Sequence, residues 1–583
     1  MPARRPVPIV ALASLLAAVA VSTAGCGSGA SGSSIDPARA VPASAPLYAG
    51  AYVRPTGKLQ EAARAAGRGL THQSDPYLRL LAALQTPGSS AIDFKHDIEP
   101  WLGQRAGVFL TATGSSEESA VDRLLALVER GLLGRSSSAS AFPFAAHSVE
   151  GAIVLDTRDA SKARSFLQQL ASRADARTSS YRGVSYQVNT SGIAFAIVAK
   201  LAVVGTESGV RAVIDTTDGA PSLAHDADYS KLQAVAPAGT LADIYANAGA
   251  FGGGAGASKQ SSMSAFSALA GGGLVNVSLV PSSSSFALDA DALQTGTSAN
   301  ASAGSGSLFS GSAQASRALG ELPGESWLAV GLGDVGKTLG ADVNAIQGIT
   351  SLGTSLTGAT TEGQSAGISV KGLLEGIVAP LRALGGESAQ TRREFASWMG
   401  SAALFASGTG LLELKGGVVI DSTNAARSRA AVDELGALLR RGGASVQSAK
   451  LPGTEAAVAA RLTGLPVVLD IAAGTDSSGH AKFIIGLGEQ SVEAVLNPSS
   501  TMSGSAPYGT ATAALGEGIQ PSAIIDFPTL LGLLEGVGLS EDPSVAPFVP
   551  YLRSLNTLSG GGRMLGNGIE RYRIVLGLQP AAG

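Results

Sequence analysis

The chain has 583 residues, of which 45% are hydrophobic and only 15% are charged, and its formal net charge is −4. Soluble proteins typically contain about 25% charged residues, so this surface must rely on uncharged polar and small side chains. The weakly acidic balance offers no basic footprint for a phosphate backbone, which excludes nucleic acid as an expected partner. The length exceeds that of one ordinary domain and predicts at least two cores.

Residues 1–25 have the order of a bacterial export signal. Arg4 and Arg5 form a positive start, residues 10–21 are apolar, and small residues lead up to Cys26, the only cysteine. The apolar run is too short to span a membrane. We expect cleavage before Cys26 and acylation of its thiol with palmitate-type chains, which would anchor the protein at the extracytoplasmic face of the cell membrane. An ordinary export signal with a chance cysteine is the alternative.

Two low-complexity stretches suggest how the rest of the chain is divided. Residues 26–40 begin with a Gly/Ser-rich run and are expected to form a flexible tether. Residues 296–320 contain a second run of Gly, Ser and Ala, which predicts a linker. Two domains are therefore expected, at 41–295 and 321–583.

Short runs rich in β-branched residues predict strands in the first half of the chain. A helix is predicted from Asp159 to Leu170, where apolar residues recur at helical spacing. Two pairs of strands have connections too short for a parallel crossover, so hairpins and a largely antiparallel sheet are expected. The predicted strands are Leu47–Val53, Gly107–Thr111, Gly151–Asp156, Val184–Val188, Ile193–Val198, Leu201–Gly205, Leu274–Val280 and Phe286–Asp291.

Three segments of the first half recur in the same order in the second half. Such a repeat predicts an α+β fold of two tandem, diverged copies of a mixed but largely antiparallel sheet with packing helices. A second helix is predicted at Asn424–Leu439, after the middle segment of the second half. The matched pairs are Trp101–Gly103 with Trp398–Gly400, Gly151–Asp156 with Gly416–Asp421, and Gly205–Val213 with Gly486–Val495.

Two stretches of the first half carry a resemblance to a known family. Residues 41–57 read VPASAPLYAGAYVRPTG, and residues 97–103 read DIEPWLG. With these signatures the chain resembles a family of predicted bacterial lipoproteins that is known only as a domain of unknown function. The resemblance covers nearly the whole mature chain. It implies export and this architecture, and it assigns no activity and no site residue.

The segment Gly331–Thr338 matches the phosphate-binding pattern G-x-x-x-x-G-K-[ST], in which backbone N–H groups and the lysine bind phosphates. Nucleotide binding is nevertheless not expected. Export would place the segment where nucleoside triphosphates are scarce, the matching part of the first half lacks the loop, and the surrounding strands look antiparallel. Short motifs of this kind also match by chance.

The other chemistry-bearing residues form no recognisable constellation. The five histidines lie outside ligand spacing of one another and no G-x-S-x-G motif occurs, so no catalytic residue, cofactor or metal ion is predicted. Around His96 a solvated surface is expected, with a calcium site as the alternative. Asp156 and Asp421 are expected to be turn or helix-capping residues, and Trp101 and Trp398 to anchor the cores. The histidines are His72, His96, His147, His225 and His480.

Three functions are compatible with these features. The first is a non-enzymatic lipoprotein of the cell envelope that binds or scaffolds an unidentified component. The second is a carrier of lipid or another apolar ligand, based on the apolar segments Leu373–Leu381 and Leu530–Leu534, for which burial in a core is the other explanation. The third is an envelope hydrolase that uses dispersed Ser, Asp and His residues. The expected partners are the membrane, through the N-terminal lipid, and an apolar ligand or an envelope protein.

Overall fold

The chain forms two compact units. The first holds the described residues up to 293 together with 565–569, and the second holds the described residues of 312–564 and 570–579. The structure is a computed structural model that describes residues 34–71, 94–111, 150–247, 273–293, 312–337, 380, 388–410, 413–462, 467–536, 538–541 and 546–579.

The first unit is an antiparallel sheet with packing helices. Its strands lie in the order β4-β5-β6-β7-β3-β2-β1-β8-β9-β10. Its elements in chain order are β1 (Leu47–Tyr52), α1 (Gly57–Thr71), β2 (Leu102–Thr111), β3 (Glu150–Thr157), α2 (Ala160–Arg173), β4 (Arg177–Tyr181), β5 (Val184–Val188), β6 (Ile193–Val198), β7 (Leu201–Thr206), α3 (Glu207–Thr217), α4 (Ala227–Val235), β8 (Ala242–Asn247), β9 (Leu274–Pro281) and β10 (Ser285–Leu293).

The second unit has the corresponding strand order, β14-β15-β16-β17-β13-β12-β11-β18-β19-β20. Its elements in chain order are α5 (Ala313–Gly320), β11 (Ser326–Asp334), α6 (Ala389–Ala396), β12 (Met399–Ser407), β13 (Lys415–Ser422), α7 (Ala425–Arg441), β14 (Ser445–Ser448), β15 (Thr454–Arg461), β16 (Val468–Thr475), β17 (Ala481–Leu487), α8 (Glu489–Leu496), α9 (Ala506–Leu515), β18 (Ala523–Asp526), α10 (Phe527–Gly536), α11 (Val549–Arg553), β19 (Leu555–Gly566) and β20 (Ile569–Leu578).

Helices together with sheets of antiparallel strands confirm the predicted α+β class. The predicted strands at 184–188 and 193–198 have the observed bounds, and the others differ by a few residues at their ends. The units also share a small feature outside the strands, because an isolated bridge joins Pro42 to Ser222 in one and Pro323 to Thr501 in the other. Descent of both units from one duplicated ancestor stays a prediction.

Local sequence explains the two best-predicted helices. Asp159 precedes α2, and its Oδ1 accepts hydrogen bonds from the backbone N–H groups of Ser161 and Lys162, both at 3.1 Å. At the matching position before α7, Asn424 accepts from the N–H of Arg427 at 3.1 Å. Each cap satisfies a backbone donor that the first turn leaves unpaired. Both helices then bury apolar residues spaced by three and four on the sheet.

Trp101 and Trp398 anchor the two cores, as predicted, and each is only 2% exposed. In the first unit the ring of Trp101 lies 5.5 Å from that of Phe166, which α2 contributes. In the second unit the ring of Trp398 lies 5.0 Å from that of Phe483 on β17. Aromatic pairs at these separations stabilise a core beyond the area that they bury.

The predicted tether and the predicted linker both include residues that are folded in the structure. Pro37–Ala40, assigned to the tether, forms a 3₁₀ turn in which Ala38 is fully buried. Ala313–Gly320, assigned to the linker, is helix α5, and its Leu319 is fully buried. Small residues resemble linker sequence in composition, yet they allow a short helix to lie close to a sheet. Within the described residues, every helix is too short or too polar to cross a membrane.

Candidate functional site

A polar pocket of about 470 Å³ lies in the first unit, where the C-terminal end of β1 adjoins the N-terminal end of β8. The 3₁₀ turn at Pro37–Ala40, strand β2 and helix α4 complete its wall. We call it the Asp243 pocket, after the carboxyl group at its floor. Its polar and charged residues are Asp36, Tyr48, Tyr52, Arg105, Tyr229, Ser230, Gln233, Thr240 and Asp243.

Two glycines create the space in which the pocket forms. Gly50 on β1 pairs with Gly107 on β2 and with Asp243 on β8. A Cβ atom on Gly107 would lie 2.8 Å from Cε2 of Tyr48, so this glycine lets the Tyr48 ring lie flat on the sheet. A Cβ atom on Gly50 would lie 2.9 Å from the Tyr48 hydroxyl and 3.2 Å from Oδ1 of Asp243. The two oxygens therefore converge above Gly50.

Asp243 combines a hydrogen bond with strong desolvation. Its Oδ2 accepts a hydrogen bond from Nε2 of Gln233 at 3.1 Å, and the same nitrogen donates to Oδ1 of Asn276 at 3.3 Å. Burial raises the pKa of Asp243 from 3.8 to about 7, against the opposing effect of the Gln233 bond. The carboxyl group thus changes its protonation state near neutral pH, where a bound group of opposite charge can control it.

Tyrosine side chains form the aromatic part of the pocket. Tyr229 on α4 meets Tyr48 edge to face, with ring centroids 6.2 Å apart, and meets Tyr245 at 5.3 Å. Burial raises the pKa of Tyr48 and of Tyr229 well above the ordinary value of 10.0. Both hydroxyls therefore remain protonated in the physiological range, where each can donate and accept a hydrogen bond.

Arg105 provides the positive charge in this pocket, and it is already neutralised. Its Nη1 lies 2.8 Å from Oδ2 of Asp36, and its guanidinium lies 4.8 Å from the centre of the Tyr52 ring. The ion pair and the cation–π contact together hold the guanidinium at the wall. Because Arg105 and Asp36 cancel, the net charge of the pocket depends on Asp243.

A second group of ionisable residues, the Lys482 cluster, lies in the second unit. It comprises Glu321, Asp421, Asp476, His480 and Lys482 and borders a pocket of about 90 Å³. The ammonium of Lys482, whose side chain is 5% exposed, lies 2.7 Å from Oδ1 of Asp421 and 2.6 Å from Oε2 of Glu321. Burial lowers the pKa of Lys482, but these two carboxylates outweigh it and raise the pKa. The lysine is therefore charged and held in place.

The sequence predicts no site residue in either group. The pocket depends on β1 pairing with β8, and the cluster brings Glu321 to a lysine 161 residues away in the chain. Neither arrangement has a local motif. One available signal is the acidic residue Asp243 within the otherwise mainly apolar strand Ala242–Asn247, in which the next three residues are buried.

The segment Gly331–Thr338 does not form a phosphate loop in its described part. Gly331 lies inside β11, which pairs with β12 and β18, and its N–H donates to the carbonyl oxygen of Ser522 at 2.8 Å. A Cβ atom on Gly331 would lie 1.8 Å from the carbonyl oxygen of Ala315, so this glycine allows α5 to lie against the strand. Lys337 forms an ion pair with Asp334 at 2.9 Å. Thr338 lies outside the described residues.

The prediction that Asp156 and Asp421 cap helices or turns is wrong. Asp156 accepts hydrogen bonds from the backbone N–H groups of Ile35 at 3.3 Å and Gln104 at 3.1 Å. Asp421 accepts from the hydroxyl of Ser401 at 2.7 Å and binds Lys482. The caps lie three residues later in each unit. Both aspartates are still strand residues, so their side chains lie against the sheet rather than the following turn.

The surroundings of His96 do not favour calcium. His96 belongs to a single π turn, Phe94–Ile98. The adjoining surface depression is lined by the three cations Lys95, Arg158 and Lys162 and by the two carboxylates of Glu99 and Asp159. A calcium ion needs several converging oxygen ligands, and here the cations outnumber the carboxylates and would repel it.

The other sequence candidates lie apart. Nδ1 of His225 lies 2.9 Å from the hydroxyl of Ser222 in a 3₁₀ turn, and within the described part of the chain no carboxylate contacts this imidazole. A hydrolase triad is therefore not assembled there. His480 belongs to the Lys482 cluster. Cys26, His72 and His147 lie outside the described residues.

The chain belongs to a family described as protein of unknown function (DUF3352), whose model matches residues 7–578. Crystal forms I and III of TP0453, from Treponema, share 11% and 13% sequence identity with it. They cover 46% of this chain and 81% and 82% of TP0453, with TM-scores of 0.24 and 0.23. No curated protein matches the sequence. The predicted membership of a family without assigned function is confirmed, and no residue role comes with it.

Proposed function

We propose that this member of a family of unknown function is a lipid-anchored binding protein of the cell envelope, whose first unit takes up a small organic cation in the Asp243 pocket. The proposal joins the export signal of the sequence to the chemistry of one pocket. It requires no catalytic residue, in keeping with the sequence analysis.

One observation carries the binding part of the proposal. The Tyr48 hydroxyl and Oδ1 of Asp243 converge above Gly50 at the floor of a pocket of about 470 Å³. Pockets for small molecules are usually about 300–1,000 Å³ and contain a few polar groups that fix orientation. Here one wall is aromatic and the floor offers two oxygens, so a ligand with an apolar body and one polar end fits the pocket.

The net charge of the pocket favours an ammonium group as the polar end of the ligand. When Asp243 is ionised, the pocket carries a net charge of −1, because Arg105 already pairs with Asp36 at 2.8 Å. An ammonium would donate hydrogen bonds to the oxygens of Asp243 and Tyr48, which the neutral tyrosine can accept. Nearby tyrosine rings also attract cations through their electron-rich faces.

Isothermal titration of the detergent-solubilised full chain at about pH 8 tests this proposal. Ethanolamine is the probe, because its primary ammonium can donate hydrogen bonds, and ethylene glycol is the uncharged comparison. We expect ethanolamine alone to bind, and the Asp243→Asn variant to lose at least about tenfold in affinity through loss of a charge-assisted hydrogen bond. Asp228→Asn is the matched control, because this acid lies on α4 in an exposed pair with Lys231. Equal binding of the glycol, or full affinity in Asp243→Asn, would contradict the proposal.

The anchoring part rests on the sequence around Cys26 and has its own test. Replacing Cys26 with Ser removes the thiol that lipid attachment requires, so the variant is expected in the soluble fraction after cell lysis, whereas the natural chain sediments with membranes. Intact-mass measurement of the natural chain should show an acylated N-terminal cysteine. Membrane sedimentation of the variant would overturn this part alone.

The carrier hypothesis receives no specific support from the described residues. Leu533, in the apolar segment Leu530–Leu534, is 3% exposed in the core of the second unit, and Leu530 packs against the same core. Burial in a core, the other explanation that the sequence allows, therefore accounts for Leu530 and Leu533. Except for Pro380, the segment Leu373–Leu381 lies outside the described residues.

A further inference from the structure

The Lys482 cluster contains three side chains whose chemistry suits a metal ion. Glu321 follows the C-terminal end of α5, and Asp476 and His480 lie on the turn between β16 and β17. One ligand atom from each of these side chains lies within 4.8 Å of the others. We propose that Glu321, Asp476 and His480 bind a divalent transition-metal ion, most closely matching Zn²⁺, in the second unit.

The turn leaves one oxygen of Asp476 for this purpose. Its Oδ1 accepts hydrogen bonds from the N–H groups of Ser478 and His480, both at 2.9 Å, which fixes the carboxylate. Its Oδ2 lies 3.8 Å from Nδ1 of His480 and 3.6 Å from the ammonium of Lys482. Both distances exceed those of a hydrogen bond. Asp476, whose side chain is 11% exposed, therefore borders the pocket with one carboxylate oxygen that has no hydrogen bond at these distances.

The charge balance of the cluster provides an argument that does not depend on ligand geometry. Three carboxylates, those of Glu321, Asp421 and Asp476, surround the single ammonium of Lys482. With the imidazole uncharged, the cluster has a net charge of −2. Partly buried charges are costly unless they are compensated, and one divalent cation would compensate these two.

The donor set indicates which metal ion fits best. Two carboxylates and one imidazole suit Zn²⁺, whereas Ca²⁺ takes six to eight oxygen ligands and Mg²⁺ binds mainly through carboxylates and water. Three protein ligands would leave a coordination position for water on the side of the 90 Å³ pocket. His480, whose side chain is 64% exposed, has room to turn its ring toward the ion.

Lys482 contacts one of the proposed ligands and sets the charge beside the site. Its ammonium binds Oε2 of Glu321 at 2.6 Å, which leaves Oε1 for the metal ion. Its positive charge also repels a cation nearby, so it limits the affinity of the site. Removing this charge is therefore expected to strengthen metal binding, an effect that a purely structural cluster would not show.

Zinc titration of the chelator-treated full chain by calorimetry tests the inference. We expect one Zn²⁺ per chain and at least a tenfold weaker affinity in His480→Ala, whose exposed side chain can be removed without disturbing the fold. Asp476→Asn should weaken binding as well. His225→Ala, which removes another exposed histidine that bonds only locally to Ser222, is the matched control and should bind as the natural chain does.

The Lys482→Met variant provides a readout of the charge balance. We expect it to bind Zn²⁺ more tightly than the natural chain and to gain more thermal stability from the ion. The absence of zinc binding, or binding that His480→Ala leaves unchanged, would overturn the inference. Loss of affinity in Lys482→Met would contradict the role given to the lysine. None of these outcomes depends on the ammonium titrations of the first unit.

Discussion

Asp156 and Asp421 occupy matching places in two sheets of the same strand order, but their carboxylates are satisfied differently. On the neighbouring strand Asp156 faces Leu201, whereas Asp421 faces Lys482. The first carboxylate accepts two backbone N–H groups and needs no counter-ion. The second binds an ammonium that gathers two further carboxylates. The residue opposite the aspartate is leucine in the first unit and lysine in the second. This difference decides whether the aspartate binds only backbone N–H groups or joins an ionic network.

At the Asp243 pocket the difference is reversed, because here the first unit has the ionisable residue and the second has apolar ones. In the first unit β1 and β8 bring Gly50 opposite Asp243. In the second unit the matching strands, β11 and β18, pair apolar residues, such as Ala329 with Ile524. A shared strand order therefore leaves each unit free to place its ionisable groups at a different corner. This division is why we assign the two units separate ligands.

The largest expected effect is the pH dependence of stability that Asp243 gives to the first unit. The pKa of Asp243 is 3.8 in its ordinary state and about 7 in the fold. Because the folded state holds this proton more tightly, its contribution to the free energy of unfolding is complete below about pH 4 and is lost as the pH rises through about 7. Three pKa units correspond to about 4 kcal/mol.

Chemical denaturation between about pH 4 and 8 measures this effect. Asp243→Asn should be nearly independent of pH in this window, apart from other groups, because it cannot ionise. Asp228→Asn, with its exposed carboxylate removed, should follow the natural chain. Parallel curves for the natural chain and Asp243→Asn would show that Asp243 is not the group that titrates.

The next effect concerns the ionic network of the second unit. Lys482→Met leaves the carboxylates of Glu321 and Asp421 without their common cation. Removing one partner of a buried pair costs about 3–5 kcal/mol, and we expect the lower end here because both carboxylates are about one-third exposed. Denaturation in metal-free buffer measures the loss.

Lys415→Met is the comparison for this experiment, since Lys415 pairs with the more exposed Glu325 at 2.6 Å. Exposed pairs contribute up to about 1 kcal/mol. If both lysine variants lost the same amount, the network would have no special role in stability.

The smallest effect distinguishes the two matched glycines. A Cβ atom on Gly103 would lie 2.3 Å from Oδ2 of Asp156, whereas the nearest atom to a Cβ on Gly400 is the carbonyl oxygen of Asp421 at 3.1 Å. Overpacking of this kind costs about 1–3 kcal/mol. Gly103→Ala should therefore lower the free energy of unfolding by about 2 kcal/mol, and Gly400→Ala by less. The reverse order in denaturant titrations would contradict the packing account.

Local signals in the sequence explain which parts of the fold could be predicted. Helices α2 and α7 were predictable because a polar cap and an apolar spacing of three and four residues coincide. Hairpin strands such as β6 and β7 were predictable because a two-residue connection permits only antiparallel pairing. The aspartates at the ends of β3 and β13 were misassigned, because whether a strand-end side chain turns back to the sheet depends on partners far away in the chain.

The two candidate sites could not be predicted from local sequence patterns, for the same reason. Asp243 acquires its raised pKa from burial beside β1, nearly two hundred residues earlier. Glu321 directly follows the predicted linker in the sequence, and only the folding of α5 brings it to Lys482. Electrostatic surroundings of this kind are set by tertiary packing and have no signature in residue spacing.

The 3₁₀ turn at Pro37–Ala40 limits where the first unit can operate. If Cys26 carries the lipid, ten residues lie between it and Pro37, the first residue of a turn that is built into the unit. Even fully stretched, the eleven steps from Cys26 to Pro37 span about 40 Å at most. The protein would then meet solutes only in a thin layer next to its own bilayer. Ligands elsewhere in the envelope would have to diffuse to that layer before they could bind.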